Sequence, residues 1–209
     1  MDSRFHGNDT GWAGFLEKPN YESTTIDFFC LSLMTLREEK REMGSKPDSK
    51  IDNKVTNILF CGTGGQGILT AAEIAALAAV YDGFHAKKSE VHGMAQRGGS
   101  VESYVRFGKQ VASPLIEAGT ADFLVPFHKG EHDRMLRFLS KDGVDLLKDL
   151  QEADKKLSDK KFINTYMLGA LSKHLNISLE SWLKALETGF KGKFIEENKK
   201  VFLTARDNN

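Results

Sequence analysis

Between residues 89 and 100 the chain reads Ser89-Glu90-Val91-His92-Gly93-Met94-Ala95-Gln96-Arg97-Gly98-Gly99-Ser100. An acid, an imidazole, an amide and a guanidinium therefore fall between Glu90 and Arg97. His92 can exchange a proton near neutral pH, and Gln96 can donate and accept. Arg97 can hold a carboxylate or a phosphate through two parallel hydrogen bonds. No nucleophile stands beside them, and Gly93, Gly98 and Gly99 give the backbone freedom. The cluster suits substrate binding, or a pairing of His92 and Arg97 with Glu90 that orders a loop against a neighbouring subunit; the two can coexist.

A second candidate precedes it. Gly62-Thr63-Gly64-Gly65-Gln66-Gly67 matches G-x-G-x-x-G and lies between an apolar run and an Ala-rich one, where the fingerprint has meaning. A strand that turns sharply into a helix needs positive φ or a missing Cβ, and the free N–H groups at the helix start attract phosphate or carboxylate. Gly62, Gly64, Gly65 and Gly67 thus form either an anion- or cofactor-binding turn or a device for close packing. Glu90 is the candidate for the acid that a dinucleotide site places about 20 residues on.

Other groups carry less. His128, Glu131 and His132 fall close together, but without a fourth ligand and with Lys129 and Arg134 adjacent they read as a solvated helix start. Trp182 with Leu179, Leu183 and Leu186 reads as core at helical spacing. The chain has two cysteines, Cys30 and Cys61. Neither stands in a metal-ligand pattern, so no metal site is expected, and the four ligands of an iron–sulfur cluster are not available from cysteine here.

The elements that must position these groups follow from pattern. Asn57-Ile58-Leu59-Phe60-Cys61 is stopped by Gly62, as a buried parallel strand is. Ile68 to Tyr81 is free of Gly and Pro and closes at Asp82-Gly83, which predicts a helix of about four turns. Strands are expected from Phe84 to Ser89, Ser100 to Phe107 and Ala121 to Phe127. Glu131 to Leu139 and Leu146 to Leu157 read as helical, although Val144-Asp145-Leu146-Leu147 also fits a short strand. Ile163, Met167, Ala170 and Leu171 share one helical face, Leu179 to Leu186 form another helix, and Phe194, Val201 and Phe202 suggest a last one. Strand, glycine turn, helix and strand imply a right-handed βαβ unit. The expected class is α/β: a three-layer, Rossmann-like, largely parallel sheet with helices on both faces and a helical C-terminal part.

Composition narrows the function. Lys+Arg and Asp+Glu are matched at 29 each over 209 residues, so no overall field steers the chain toward nucleic acid. The apolar run Ile26 to Met34 is shorter than the ~20 residues that span a bilayer. It also lacks the flanks of a secretory signal, so neither membrane nor export is expected and the protein reads as cytoplasmic. Residues 1–50 read as a disordered or mis-called extension, and 51–209 as the folded domain.

In these motifs the chain resembles the γ-type subunit or domain of 2-oxoacid:ferredoxin oxidoreductases, and within them the β subunit of indolepyruvate ferredoxin oxidoreductase. The likeness rests on Gly62 to Thr70, Ser89 to Ser100, Val105-Arg106-Phe107-Gly108 and Ser113-Pro114-Leu115-Ile116. It extends through Tyr166 to Leu171 and Lys193 to Asn198. The first fifty residues have no counterpart, and the stretch from Asp142 to Phe162 is shorter than usual, which suggests a missing or replaced strand.

The resemblance implies an accessory subunit of an enzyme that oxidatively decarboxylates a 2-oxoacid, here an arylpyruvate, to an acyl-CoA. Thiamine diphosphate and 4Fe–4S clusters would sit on a large partner subunit, with coenzyme A as co-substrate and ferredoxin as electron acceptor. This chain would hold no cofactor alone and would be inactive without that partner. Glu90, His92, Gln96 and Arg97 would then lie at the interface, near substrate or coenzyme A. Two alternatives stand beside this: a stand-alone NAD(P)- or flavin-binding oxidoreductase with Glu90 on the ribose, and a purely structural assembly subunit.

Overall fold

The structure is a computed structural model that describes residues 54–92, 98–190 and 194–207. These lie within the unit Lys50–Asn209; the extension of residues 1–50 lies outside the described residues. Strand β1 (Thr56–Thr63) runs into the glycine turn and then into helix α1 (Ile68–Tyr81). Alanine at six of its 14 positions lets α1 approach the sheet closely, and Ala71, Ala72, Ala75, Ala76, Ala78 and Ala79 are all buried. The helix stops where expected: Gly83 takes φ +99°, its N–H reaches the Val80 carbonyl, and that of Phe84 reaches the Ala79 carbonyl, the hydrogen-bond pattern of a Schellman cap.

Strands β2 (His85–His92), β3 (Ser100–Gly108) and β4 (Ala121–Pro126) follow. Helix α2 (Lys129–Met135) tightens into a 3₁₀ turn, Leu136–Phe138, and opens into strand β5 (Leu139–Asp145). The chain ends in helices α3 (Leu147–Lys156), α4 (Ile163–Ser172), α5 (Leu179–Gly189) and α6 (Ile195–Asp207).

The sheet order is β2-β3-β1-β4-β5. β1, β4 and β5 are parallel, and β3 is antiparallel to both β1 and β2. β2 therefore runs with β1, as a βαβ unit requires, but β3 is inserted between them. The expected α/β sheet is largely parallel in direction and mixed in pairing. The reason was present in the sequence: residues 93–99 are too few for the dozen or so that a parallel crossover needs.

Leu59, Cys61, Tyr104, Ile116, Ala121, Leu124 and Met135 form one core cluster, while α1 lies against β1, β2 and β3. The region read as a helix up to Leu139, with a strand missing or replaced beyond Asp142 and a short strand possible from Val144, resolves into an edge strand, Leu139–Asp145, that overlaps that possible strand at Val144 and Asp145. Its pairing shifts between Ala121 and Phe123, and at Gly143 a Cβ would lie 2.6 Å from Leu139 Cδ1 and 2.8 Å from the Ala121 carbonyl. An irregular, half-exposed edge strand carries little of the alternation that sequence reading relies on.

At the C-terminal end, Trp182 and Phe202 are fully buried with ring centroids 5.6 Å apart. The Trp182 stripe is core, as read, although Leu179 remains exposed. Among the described residues no helix is long and apolar enough to cross a membrane.

Candidate functional site

Register brings the two glycine-bearing segments together. Thr63, the last residue of β1, lies opposite Ser100, the first of β3, and His92, the last of β2, lies opposite Val101. The connection between β2 and β3 thus leaves the sheet beside the glycine turn, and the Gly64 N–H donates to the Gly99 carbonyl at 2.8 Å.

The turn is held by a residue that the fingerprint leaves free. Gln66 Oε1 accepts from the Thr63 N–H at 2.7 Å and from Thr63 Oγ1 at 3.0 Å, and its Nε2 donates to the Phe127 carbonyl at 2.7 Å. One side chain so closes the turn and ties it to the end of β4. Gly62 makes room for this, since a Cβ there would stand 2.7 Å from Gln66 Oε1. Gly67 takes φ +75° as the N-cap of α1, and a Cβ there would lie 2.7 Å from Asn164 Nδ2. Gly65, at φ +98°, has nothing within 4 Å of the Cβ position and faces open space.

Glu90 lies on β2 with Lys88 Nζ 2.6 Å from its Oε1. It is in register with Ser103, which is itself opposite Phe60. Glu90 is therefore about two strand spacings, ~10 Å, from β1, whereas the dinucleotide acid sits on the strand next to the first. With the Thr63 and Gly64 amides also engaged, the geometry counts against a dinucleotide site. Gln96 and Arg97 lie outside the described residues.

Sequence reading missed a polar network just inside this end of the sheet. Ser100, Glu102 and Tyr104 alternate along β3 and so share a face. Arg134 of α2 reaches Glu102 Oε1 at 2.8 Å and Glu131 Oε2 at 2.7 Å, and also contacts Ser100 Oγ. Ser100 Oγ donates to Glu131 Oε2 at 2.7 Å, and Tyr104 Oη donates to Glu102 Oε2 at 2.6 Å. Burial alone would raise the Glu131 carboxyl, but the hydrogen bonds from Ser100 and Arg134 and the Arg134 charge outweigh it and hold it below the ordinary carboxylate range. Cys61 is buried beneath, and burial first, then the charges of Glu131 and Glu102, push its thiol up to about 12. It is a small hydrophobe here and not a nucleophile. The signal in the sequence was the Glu131/Arg134 pair at helical spacing together with a strand whose Ser, Glu and Tyr all fall on one face.

The start of α2 is the expected solvated surface at His128 and Lys129, which are exposed, but not one turn on, at His132. His132 is 4% exposed, with Nε2 2.8 Å from Asp145 Oδ2 and Nδ1 2.9 Å from Asp133 Oδ1. Burial would lower its pKa, but hydrogen bonds to Asp133 and Asp145 and their charges raise it above the usual histidine value. A group whose folded pKa is raised adds stability that is complete below the unfolded value, about 6.5, and is lost as pH rises through the folded value. The melting temperature of the native protein should therefore exceed that of His132→Gln by a few degrees at pH 6. The gap should narrow toward pH 9 in thermal melts followed by circular dichroism.

A second buried polar group lies under the turn. Asn164 Oδ1 accepts from the Thr165 N–H at 2.8 Å, Thr165 Oγ1 donates to Asn198 Oδ1 at 2.5 Å, and Asn198 Nδ2 donates to the Phe194 carbonyl at 2.8 Å. Nothing in the helical periodicity singled these out. Among the described residues no group of three or more His, Cys, Asp or Glu side chains is arranged to hold a metal ion.

The family model described as pyruvate ferredoxin/flavodoxin oxidoreductase matches residues 57–208, and with them both glycine-bearing segments and all the helices. The chain is 45% identical over 91 residues to indolepyruvate oxidoreductase subunit IorB of Thermococcus kodakarensis, a match covering 44% of this chain and 45% of that one, so it spans about half of that relative's length. It is 31% identical over 159 residues to pyruvate synthase subunit PorC of Methanothermobacter thermautotrophicus, covering 68% of this chain and 88% of the relative. In structure it is similar to the γ subunit of a keto/oxoacid ferredoxin oxidoreductase from Geobacter sulfurreducens. There the TM-score is 0.60 at 27% identity, over 73% of this chain and 96% of that one. With the mixed sheet, the turn held by Gln66 and a match through most of the folded unit, the chain belongs to the pyruvate ferredoxin/flavodoxin oxidoreductase family.

Proposed function

We propose that the chain is the accessory, γ-type subunit of a cytoplasmic 2-oxoacid:ferredoxin oxidoreductase that oxidatively decarboxylates indolepyruvate or a related arylpyruvate to the acyl-CoA. Residues 51–209 form the γ-type domain and residues 1–50 an extension to it. The observation that carries this reading is the 45% identity to an indolepyruvate oxidoreductase subunit, within a family match that runs from 57 to 208.

The residues of this chain do not fit the cofactors of such an enzyme. Cys61, the free cysteine among the described residues, is buried, and two cysteines in the whole sequence fall short of a 4Fe–4S ligand set. As the family likeness implies, thiamine diphosphate and the clusters would belong to a large partner subunit that passes electrons to ferredoxin, and the chain would be inactive without it. What this chain contributes, in this reading, is the segment from Glu90 to Arg97, which spans the end of β2 and the sequence leading to β3. There Arg97 can hold the substrate carboxylate or a coenzyme A phosphate bidentately, with His92, Gln96 and Glu90 orienting the contact.

The test is to purify the untagged protein from its native cell, identify what accompanies it, and assay the complex with indolepyruvate, coenzyme A and ferredoxin. An iron-containing, thiamine-dependent companion is expected, and Arg97→Ala should lower kcat/KM or the yield of complex at least about tenfold, equivalent to ~1.4 kcal/mol. A chain that purifies without a companion, or an Arg97→Ala complex that assembles and turns over as the native one does, overturns the proposal.

A further inference from the structure

We infer that the outer edge of β2 is a self-pairing surface, on which a second copy of this chain lays its own β2 antiparallel about a two-fold axis at Ser89. The inference goes beyond the reading above and does not depend on it, because both sides of the contact are this chain.

The sheet defines the edge. Among the described residues β2 has β3 on one side and no strand on the other. The register tells which backbone groups point outward. The Phe127 N–H donates to the Cys61 carbonyl and the Asn57 N–H to Asp122 Oδ2, so odd-numbered residues of β1 direct their backbone toward β4. Backbone direction alternates along a strand, so even-numbered residues such as Phe60 face β3, at Ser103. Tyr104 then faces Ser89, and the N–H and C=O groups of Ala86, Lys88 and Glu90 point away from the sheet. The lysines that ordinarily guard such an edge are engaged within the chain. Lys87 Nζ donates to the Ala112 carbonyl at 2.9 Å, and Lys88 Nζ lies 2.6 Å from Glu90 Oε1.

Two observations choose the occupant. The first is charge. Rotation about an axis normal to the sheet keeps each side chain on its own face, so a residue meets only residues an even number of places away. Centred on Ser89, the pairing sets Lys88 against Glu90 twice and Lys87 against Val91 twice. Centred on Lys87 or Lys88 it sets two ammonium groups opposite each other, and centred on Glu90 two carboxylates, which is destabilising. One register is thus both self-complementary and charge-matched. In it the exposed Val91 is covered by the stem of Lys87, and the Lys88 and Glu90 pairs exchange the outward backbone hydrogen bonds.

The second is Ser89 itself. Its Oγ is buried and has no hydrogen-bond partner among the described residues, a costly state for a hydroxyl. On the axis Ser89 meets its own copy in a non-hydrogen-bonded pair, where Cα atoms approach to about 4.5 Å and side chains are closest. Rotation about χ1 lets each hydroxyl bond the other, a cross-strand contact that stabilises a sheet.

The experiment is sedimentation velocity on the full chain over a concentration series, and a monomer–dimer equilibrium is expected. Lys88→Glu and Glu90→Lys should each weaken the dimer at least tenfold, since each sets like charges across the axis. An equimolar mixture of the two variants should dimerise as the native chain does, because every Glu then meets a Lys of the other copy. In a Cys30→Ser background, Ser89→Cys should form an interchain disulfide under mild oxidation, its Cα spacing falling within the span of a disulfide. Lys87→Cys, off the axis, should not. A native chain that stays monomeric up to roughly 100 μM overturns the inference, as do charge variants that dimerise undiminished or a cross-link at Lys87→Cys equal to that at Ser89→Cys. If the charge variants do not fold, the cross-link decides alone. Protection of the β2 amides from exchange only when a large subunit is present assigns the edge to that subunit and likewise overturns it. A monomer that still co-purifies with a large companion leaves the proposed function standing, so the two proposals are separable.

Discussion

Gly169→Ala is expected to lower the melting temperature by roughly 6–12 °C, corresponding to about 3 kcal/mol at the upper end of what overpacking a core costs. Gly169 lies within α4, and a Cβ there would stand 2.4 Å from the Phe202 carbonyl oxygen and 2.7 Å from Ala205 Cβ. Both atoms are backbone or stem of α6, so no side-chain rotation relieves the contact and the two helices must separate. Their separation would pull Phe202 from Trp182, both fully buried. Ala205→Gly in the same chain should recover part of the loss, because it removes the second contact and leaves the first. A Gly169→Ala melt that matches the native one would show that α4 and α6 are not packed as described.

The second large effect is expected at Arg134. Arg134→Ala should cost about 2 kcal/mol at pH 7, less than a fully buried ion pair would, because the Arg134 side chain is 46% exposed while those of Glu102 and Glu131 are 11% and 17% exposed. Without the guanidinium, Glu102 keeps only the Tyr104 hydroxyl and Glu131 only that of Ser100. Glu131 then faces a second largely buried carboxylate with no compensating charge, and its folded pKa, held down in the native protein in part by Arg134, rises above the unfolded one. A group with a raised folded pKa contributes stability below its unfolded value that is lost as pH climbs. The deficit of Arg134→Ala relative to the native protein should therefore be largest at pH 7–8 and shrink toward pH 5, as read from urea midpoints. A pH-independent deficit would show that the loss is packing and not charge. Because Ser100 is where the connection from β2 enters β3, the same variant should loosen that connection, visible as faster amide exchange at Gly99 and Ser100.

Much of this fold was legible from local pattern, for a physical reason. The run from Ile58 to Cys61, the glycines that follow it and the alanine-rich stretch to Tyr81 each depend on neighbours in sequence, and strand, turn and helix form there as read. The density of chemistry between Glu90 and Arg97, and the family likeness that it carries, needed no coordinates at all. Pairings that join distant parts of the chain were a different matter. β3 enters between β1 and β2, and this removes Glu90 from the first strand and with it the case for a dinucleotide site. Gln66 closes the turn only because Phe127 ends β4 beside it. Arg134 meets Ser100 and Glu102, and Asn164 comes under Gly67, across long stretches of chain in which no periodicity links one to the other. Periodicity reports which face of an element is buried, but it is silent on what that face meets; the partners of a buried polar group are set by how the elements pack.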